Sequence, residues 1–379
     1  MLAKTPPMGF NTWNTFGSEI NEKLIKESAD AMAEQGLKAA GYEYLVIDDC
    51  WSEYLRDPVT QRLVPHHEKF PNGMKAVADY VHSKGLKFGM YSCCGVRTCG
   101  DYPGSFDHEF LDALTFAEFG VDYLKYDNCY HPMAVDGPTL YRRMGMALRA
   151  TGRDILFSAC NWGDENVWNW IRSTGAHIYR STGDIFDNPQ SYRRIAASQA
   201  EKLAYSAPGC FNDLDMLTVG MYGKGLVGTT GCTDADYRSQ FSIWCMFSSP
   251  LMLGCDVRSM SPFIHDLVTN PRLIAIDQDE EARPPIFMQH RYGCKDEDRF
   301  VCLKFLSDGR YALGFFNLSE EDKELFMMFN DAGLSVSSGL GFRLQDAFSG
   351  EDMGFYREYY RVNVPAHDCA VYLGTVEKA

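Results

Sequence analysis

The sequence predicts an α/β fold, a (β/α)8 barrel of the TIM type followed by a small C-terminal antiparallel β-sandwich. Three observations carry this reading. Eight short apolar runs alternate with amphipathic stretches from the N-terminus to about residue 280. Past Asp277-Gln-Asp279 and Pro284-Pro285 that rhythm gives way to short alternating segments separated by polar turns. The 379 residues exceed one ordinary domain and fit a barrel of roughly 250–300 residues with a smaller partner.

The runs read as strands are 8–13, 43–48, 86–91, 121–126, 154–160, 176–180, 209–216 and 249–254. Tyr44-Leu-Val-Ile47 is continuous and partly β-branched, as expected of a strand covered on both faces. Between the runs lie helical patterns. In 73–84, Met74, Val77 and Val81 share a face and Gly85 supplies the stop. In 106–119, Phe106, Phe110, Leu114 and Ala117 form the predicted inward stripe, with Ser105 as N-cap and Gly120 as stop. Stretches 22–38, 138–150, 164–173, 189–205, 234–246 and 260–268 carry weaker forms of the pattern. An open doubly wound sheet would need a Gly-rich phosphate loop after its first strand, and none is present. The later segments, 300–306, 311–317, 324–329, 341–344, 360–364 and 369–373, read as strands of the sandwich. The expected division is a catalytic barrel over 1–284 and a sandwich over 285–379.

Composition narrows the function. Hydrophobic residues make up 45%, enough for a large core. The net charge of −15 repels phosphate backbones and anionic lipid, which argues against nucleic-acid and membrane partners. No apolar stretch approaches the ~18 residues of a transmembrane helix. The opening Met1-Leu-Ala-Lys-Thr-Pro-Pro lacks a signal peptide's apolar core, so the expected location is the cytoplasm, with a trimmed secreted chain as the alternative. Of the 13 cysteines, Cys245, Cys255, Cys302 and Cys369 sit in apolar runs and read as small buried hydrophobes. With no zinc-type spacing among the rest, a reducing compartment is expected.

In such barrels the chemistry gathers where the strands end, so the polar residues just after each run are the informative ones. In order they are Asn11 and Trp13; Asp48, Asp49 and Trp51; Tyr91; Lys125, Asp127 and Asn128; Asn161 and Trp162; Arg180 and Asp184; Asp213 and Asp215; and Asp256. Any single acid here has a plain alternative as a helix cap or turn residue. Lys125 differs, because a cation between Leu124 and Tyr126 in a buried strand is costly unless paired. Asp127, two residues along, points to the same face, and an inward Lys–Asp pair would hold that carboxylate ionised as a nucleophile. A glycosidase needs such a group and a second carboxyl to protonate the leaving oxygen. No His-x-His or His-Glu-x-x-His spacing points to a metal, and no Gly-x-Ser-x-Gly elbow is present. No cofactor is expected.

Six segments together resemble glycoside hydrolase family 27, the α-galactosidases and α-N-acetylgalactosaminidases. They are Pro7-Met-Gly-Phe-Asn-Thr-Trp13, Ile47-Asp-Asp-Cys-Trp51, Lys125-Tyr-Asp-Asn-Cys129, Cys160-Asn-Trp-Gly163, Arg180-Ser-Thr-Gly-Asp184 and Asn212-Asp-Leu-Asp-Met216. The resemblance implies Asp127 as nucleophile and Asp184 as general acid/base. It implies Asp48 and Asp49 as the pair gripping the 4- and 6-hydroxyls, Lys125 as donor to the 3- or 4-hydroxyl, and Arg180 near the 2-hydroxyl. Trp13 would lie against the ring face and Tyr91 near the 6-position, with Cys129, Trp162, Asp215 and Met216 around the pocket. Asn161 stands where animal relatives carry Glu, which implies a free 2-hydroxyl rather than an acetamido group. Cys99 and Cys129 match a pair bridged in secreted members; the compartment reading leaves them reduced here. The implied activity is retaining removal of terminal α-D-galactosyl residues from oligosaccharides or glycoconjugates. Alternatives are α-N-acetylgalactosaminidase, β-L-arabinopyranosidase or an inactive sugar-binding protein. Homo-oligomers are frequent among barrel-plus-sandwich glycosidases, and the sequence leaves the oligomeric state open.

Overall fold

A computed structural model describes residues 2–288 and 298–378. Eight short strands form one parallel sheet in the order β7-β6-β5-β4-β3-β2-β1-β8. They are β1 (Met8–Asn11), β2 (Tyr44–Val46), β3 (Lys87–Cys93), β4 (Tyr123–Asp127), β5 (Leu156–Cys160), β6 (Ile178–Arg180), β7 (Phe211–Asp213) and β8 (Leu251–Leu253). β8 pairs directly with β1, Met8 opposite Leu251. Between β7 and β8 the ring closes later, at the bridge Leu217↔Leu253. The delay has a local cause. The chain leaves β7 through Asp215, whose φ of +78° swings the backbone out of the sheet, and pairing resumes when the Leu217 N–H donates to the Met252 carbonyl at 2.8 Å. That excursion places the Asp215 carboxylate on the rim.

Most helical patterns form where the periodicity puts them, with Glu22–Glu34, Gly73–Ser83, Gly137–Ala150, Pro189–Gln199, Asp234–Phe247 and Pro262–Val268 outside the sheet. Asp136, Asn188, Thr233 and Ser261 cap four of them by accepting a backbone N–H from the first turn. The 106–119 expectation is corrected. The helix runs Glu109–Phe119, and the Ser105 hydroxyl is used on Ser92 at 2.6 Å rather than as a cap. Phe110 and Leu114 face outward. The reason is Asp112, fully buried and gripped by both terminal nitrogens of Arg56 at 2.7 Å, which pins a polar residue inward and turns the stripe away. The 164–173 helix is also replaced, by two 3-10 turns, Asp164–Asn169 and Ile171–Thr174. Left-handed Glu165 and Asn166 break the helical ladder there.

The C-terminal region holds a six-stranded antiparallel sheet, β14-β13-β16-β11-β10-β9, and a two-stranded sheet, β12-β15. Its strands are β9 (Ile286–Phe287), β10 (Arg299–Phe305), β11 (Tyr311–Asn317), β12 (Lys323–Met328), β13 (Leu340–Asp346), β14 (Asp352–Tyr356), β15 (Tyr359–Val364) and β16 (Cys369–Lys378). Val301, Leu313, Phe315, Leu325, Phe342 and Tyr360 fill the space between them. β14 escaped the sequence reading because its pattern is broken by Gly354 and by a register shift opposite Leu344/Gln345. The sandwich docks on helix Asp234–Phe247, where Arg238 holds Asp368 through two bonds of 2.8 and 2.6 Å. Buried Lys304 donates to the Ser248 hydroxyl at 2.6 Å and the Ile276 carbonyl at 2.8 Å across the same junction. No helix of the described residues is long and apolar enough to cross a membrane.

Candidate active site

The strand ends build the site in two halves. On the β2 side, Asp48 and Asp49 follow the last apolar residue of the run and are both buried. Asp48 accepts from the Asn11 side-chain amide at 2.7 Å and from Lys125 Nζ at 2.8 Å, while its own N–H donates to the Thr12 hydroxyl at 3.0 Å. Asp49 accepts the Cys50 and Gly100 N–H groups at 2.7 and 2.8 Å. Burial pushes the Asp49 carboxyl up to about 6 even against those two donors.

Lys125 therefore pairs with Asp48, and the expected Lys125–Asp127 ion pair is not formed. The two do share a face of β4, but Asp48 reaches in from β2 and takes the ammonium, which also lies 5.3 Å from the Tyr91 ring centroid. Burial alone would lower Lys125; Asp48, Cys160 and Asp127 outweigh it and hold its pKa above the ordinary value. Asp127 accepts instead from the Tyr91 hydroxyl at 3.1 Å and the Asn128 N–H at 2.9 Å. It is only 6% exposed, and that burial raises its pKa although Lys125 and Arg180 pull the other way.

The other half hangs on Arg180, the last residue of β6. Its guanidinium donates to Asp215 at 3.0 Å and to Asp184 at 2.5 Å. Asp215 also accepts the N–H groups of Met216 and Ile185 at 2.7 and 2.9 Å, so a deep carboxylate fixes the loop that carries Asp184. The Asp184 side chain is 64% exposed. What desolvation it has raises its pKa, but the Arg180 charge and hydrogen bond win and hold it below the ordinary carboxylate value. Asp213 lies beneath, in a smaller cavity shared with Lys125 and Arg180, where burial and the neighbouring Asp215 push its carboxyl up to about 7.

Trp13, Asp48, Asp49, Tyr91, Lys125, Asp127, Trp162, Arg180, Asp184, Asp215 and Met216 line one cavity of about 260 Å³. That is below the roughly 300–1,000 Å³ of pockets that enclose drug-sized ligands, and suits a single sugar ring. Two expected wall residues stand elsewhere. Asn161 is 1% exposed and outside the lining, because Trp162, held at φ +64°, takes the surface. Cys129 is set back from the wall, joined to Cys99 in a disulfide with a Cα–Cα distance of 5.3 Å. The reduced pair expected from the cysteine pattern is thus corrected, and it is Cys99 that reaches the cavity. Asn14, Ile185, Phe186, Leu226 and Val227 complete the wall and were not read from the sequence. The glycine-dense stretch Gly223-Lys-Gly-Leu226-Val-Gly228 is the one signal that could have pointed to a shaped loop there. Among the described residues, Glu53, His66 and His67 bring metal-type donors together, but on the outer loop, where His67 Nδ1 and Glu53 already bond at 2.5 Å.

The chain matches the family description "Alpha galactosidase A" over residues 5–279 and "Alpha galactosidase C-terminal beta sandwich domain" over residues 296–373. It is 41% identical to an alpha-galactosidase of Cyamopsis tetragonoloba, over 99% of this chain and 87% of that protein. An alpha-galactosidase of Coffea arabica is likewise 41% identical, over 99% and 94%. Among solved structures, alpha-galactosidase I from Mortierella vinacea superposes with a TM-score of 0.89 at 31% identity, covering 99% of this chain and 98% of that one. A Geobacillus stearothermophilus β-L-arabinopyranosidase, at 22% identity and a TM-score of 0.86, shares the fold. From the two matched family descriptions and these full-length relatives, the chain belongs to the α-galactosidases of glycoside hydrolase family 27.

Proposed function

We propose that the protein is a retaining exo-α-galactosidase that removes terminal, non-reducing α-D-galactosyl residues by double displacement. The observation that carries this is the pairing, in one cavity, of a buried carboxylate, Asp127, with a mouth carboxylate, Asp184. Asp48, Asp49 and Lys125 supply acceptors and a donor for adjacent ring hydroxyls, a polar set that discriminates strongly against analogues lacking them. The cavity's size favours one ring at a time.

The chemistry follows from the two environments. Asp127 attacks the anomeric carbon while protonated Asp184 gives its proton to the glycosidic oxygen, so the C–O bond breaks and the aglycone leaves as an alcohol. Asp184, now a carboxylate, takes a proton from water, and the hydroxide attacks the same carbon and releases Asp127 with net retention. Arg180 holds the Asp184 carboxyl below the ordinary carboxylate value. An aglycone seated at the mouth would take water from Asp184, and that desolvation raises its pKa toward the protonated form the acid role needs. A solved alpha-galactosidase of Saccharomyces cerevisiae with raffinose, 28% identical over 99% of this chain, fits the same substrate class.

The test is hydrolysis of aryl α-D-galactoside, α-N-acetylgalactosaminide and β-L-arabinopyranoside by wild type and Asp127→Asn, with NMR of the first-formed anomer. We expect preference for the galactoside, an α-anomeric product and a loss of roughly ten-thousand-fold in the variant. Preference for either other sugar, an inverted product, or an active variant would each overturn the reading.

A further inference from the structure

A pocket that closes around one ring leaves the rest of the substrate at its mouth, on the side of the group that protonates the glycosidic oxygen. On the reading above that group is Asp184. Its neighbour Ile185 is buried, but Phe186 is 45% exposed, and Leu226 from a distant loop is 54% exposed. Both line the same cavity as Asp184.

These side chains are not on loose loops. Asp187, next to Phe186 and fully buried, accepts the Gly223 N–H at 2.6 Å and the Tyr237 hydroxyl at 3.0 Å. Its backbone N–H donates to the Val227 carbonyl at 3.0 Å, and its carbonyl accepts from Gly231 at 2.9 Å. The second loop is tied in turn to the segment beside Trp13, with Val227 N–H donating to the Asn14 carbonyl at 3.1 Å. Gly225, at φ +82°, makes that approach feasible, since a Cβ there would lie 2.8 Å from Thr15 Cα. One buried carboxylate thus locks the acid/base loop to the loop carrying Leu226, and two large apolar side chains, Leu226 resting over Gly17, are left about half exposed at the cavity.

We propose that Phe186 and Leu226 form a preformed platform for the aglycone, and that its preferred occupant is an uncharged pyranose resting its C–H face on them. Holding the two side chains in place before binding cuts the ordering cost of contact. A flat, weakly polar sugar face gains from apolar and aromatic surface that a charged aglycone would not use. The same occupant covers Asp184 from solvent. This rests on the α-galactosidase reading and on Asp184 as its acid/base.

The test compares α-D-galactosyl fluoride, which has no aglycone sugar, with melibiose, whose aglycone is a 6-linked glucose. Phe186→Ala should lower kcat/KM for melibiose about tenfold, the size of one lost stacking contact, and leave the fluoride within about twofold. Phe186→Trp should retain melibiose hydrolysis. Leu226→Ser, on the other loop, should give the same split, and keeps the test open if Phe186→Ala folds poorly. Equal losses on both substrates would mean that the two side chains shape the galactosyl pocket rather than the aglycone site, and would overturn the proposal, as would no loss on either. A split accompanied by a shifted alkaline limb of the melibiose pH profile, the mark of a disturbed Asp184, would overturn it too. Wild-type silence on the fluoride would overturn the α-galactosidase reading and this proposal with it.

Discussion

The two halves of the pocket treat their carboxylates in opposite ways. Asp127 lies deep, 6% exposed, with two cations in range, and still its pKa is raised because burial dominates. Asp184 sits at the mouth, 64% exposed, with one arginine bonded to it, and its pKa is lowered because that arginine dominates. Charge partners are present on both sides; water decides which effect wins. Arg180 therefore works against a proton on Asp184, and the proposed acid role needs that pull offset when substrate binds. That makes the exposed half, and whatever covers it, the part on which the aglycone acts.

The sharpest way to break this comparison is Asp184→Asn. Loss of the general acid should cost roughly a thousandfold in kcat/KM on melibiose, and far less on galactosyl fluoride, whose leaving group needs little protonation. Equal losses would show that Asp184 organises the pocket instead of donating a proton.

A smaller effect tests the buried side. The Asp213 carboxyl is pushed up to about 7 from an ordinary 3.8. A raised carboxyl contributes stability that is full below about pH 3.8 and is lost as pH rises through about 7. Denaturant unfolding should show wild type losing about 2 kcal/mol more than Asp213→Asn between pH 5 and pH 8. Parallel pH curves would place the burden of burial elsewhere.

The smallest effect concerns Asp49, raised to about 6 chiefly by burial. The ionised carboxylate is the better acceptor for ring hydroxyls, so galactose affinity should rise about threefold as pH climbs through 6. Calorimetric titration at pH 5 and pH 7 reads this directly. Asp49→Asn should bind more weakly and lose the inflection; an unchanged inflection would assign it to another group.

Much of this site was legible because barrel topology turns chain order into geometry. A polar residue at the end of an apolar run must emerge on one rim, so Asp48, Lys125, Asp127, Arg180 and Asp215 could be gathered from spacing and family resemblance before any contact was known. What spacing could not supply was partner choice. Lys125 faces both Asp48 and Asp127 in principle, and only the packed ring shows that Asp48 receives the ammonium. Phe110 and Leu114 followed a helical stripe, yet a buried Arg56–Asp112 pair from 56 residues apart turned them outward. Asn161 followed the family pattern and lies buried, while its neighbour Trp162 lines the cavity.

The sequence by itself determined the alternation of strand and helix, the eightfold barrel, the sandwich and the rim on which chemistry gathers. These rest on local periodicity and on burial, which each segment carries within itself. Tertiary structure alone decided which acid each cation holds, how wet each carboxyl is, that Cys99 and Cys129 are bridged rather than reduced, and that Phe186 and Leu226 share a mouth. Those depend on distances between residues far apart in the chain, and solvation at a point is a property of everything packed around it, not of the residue that sits there.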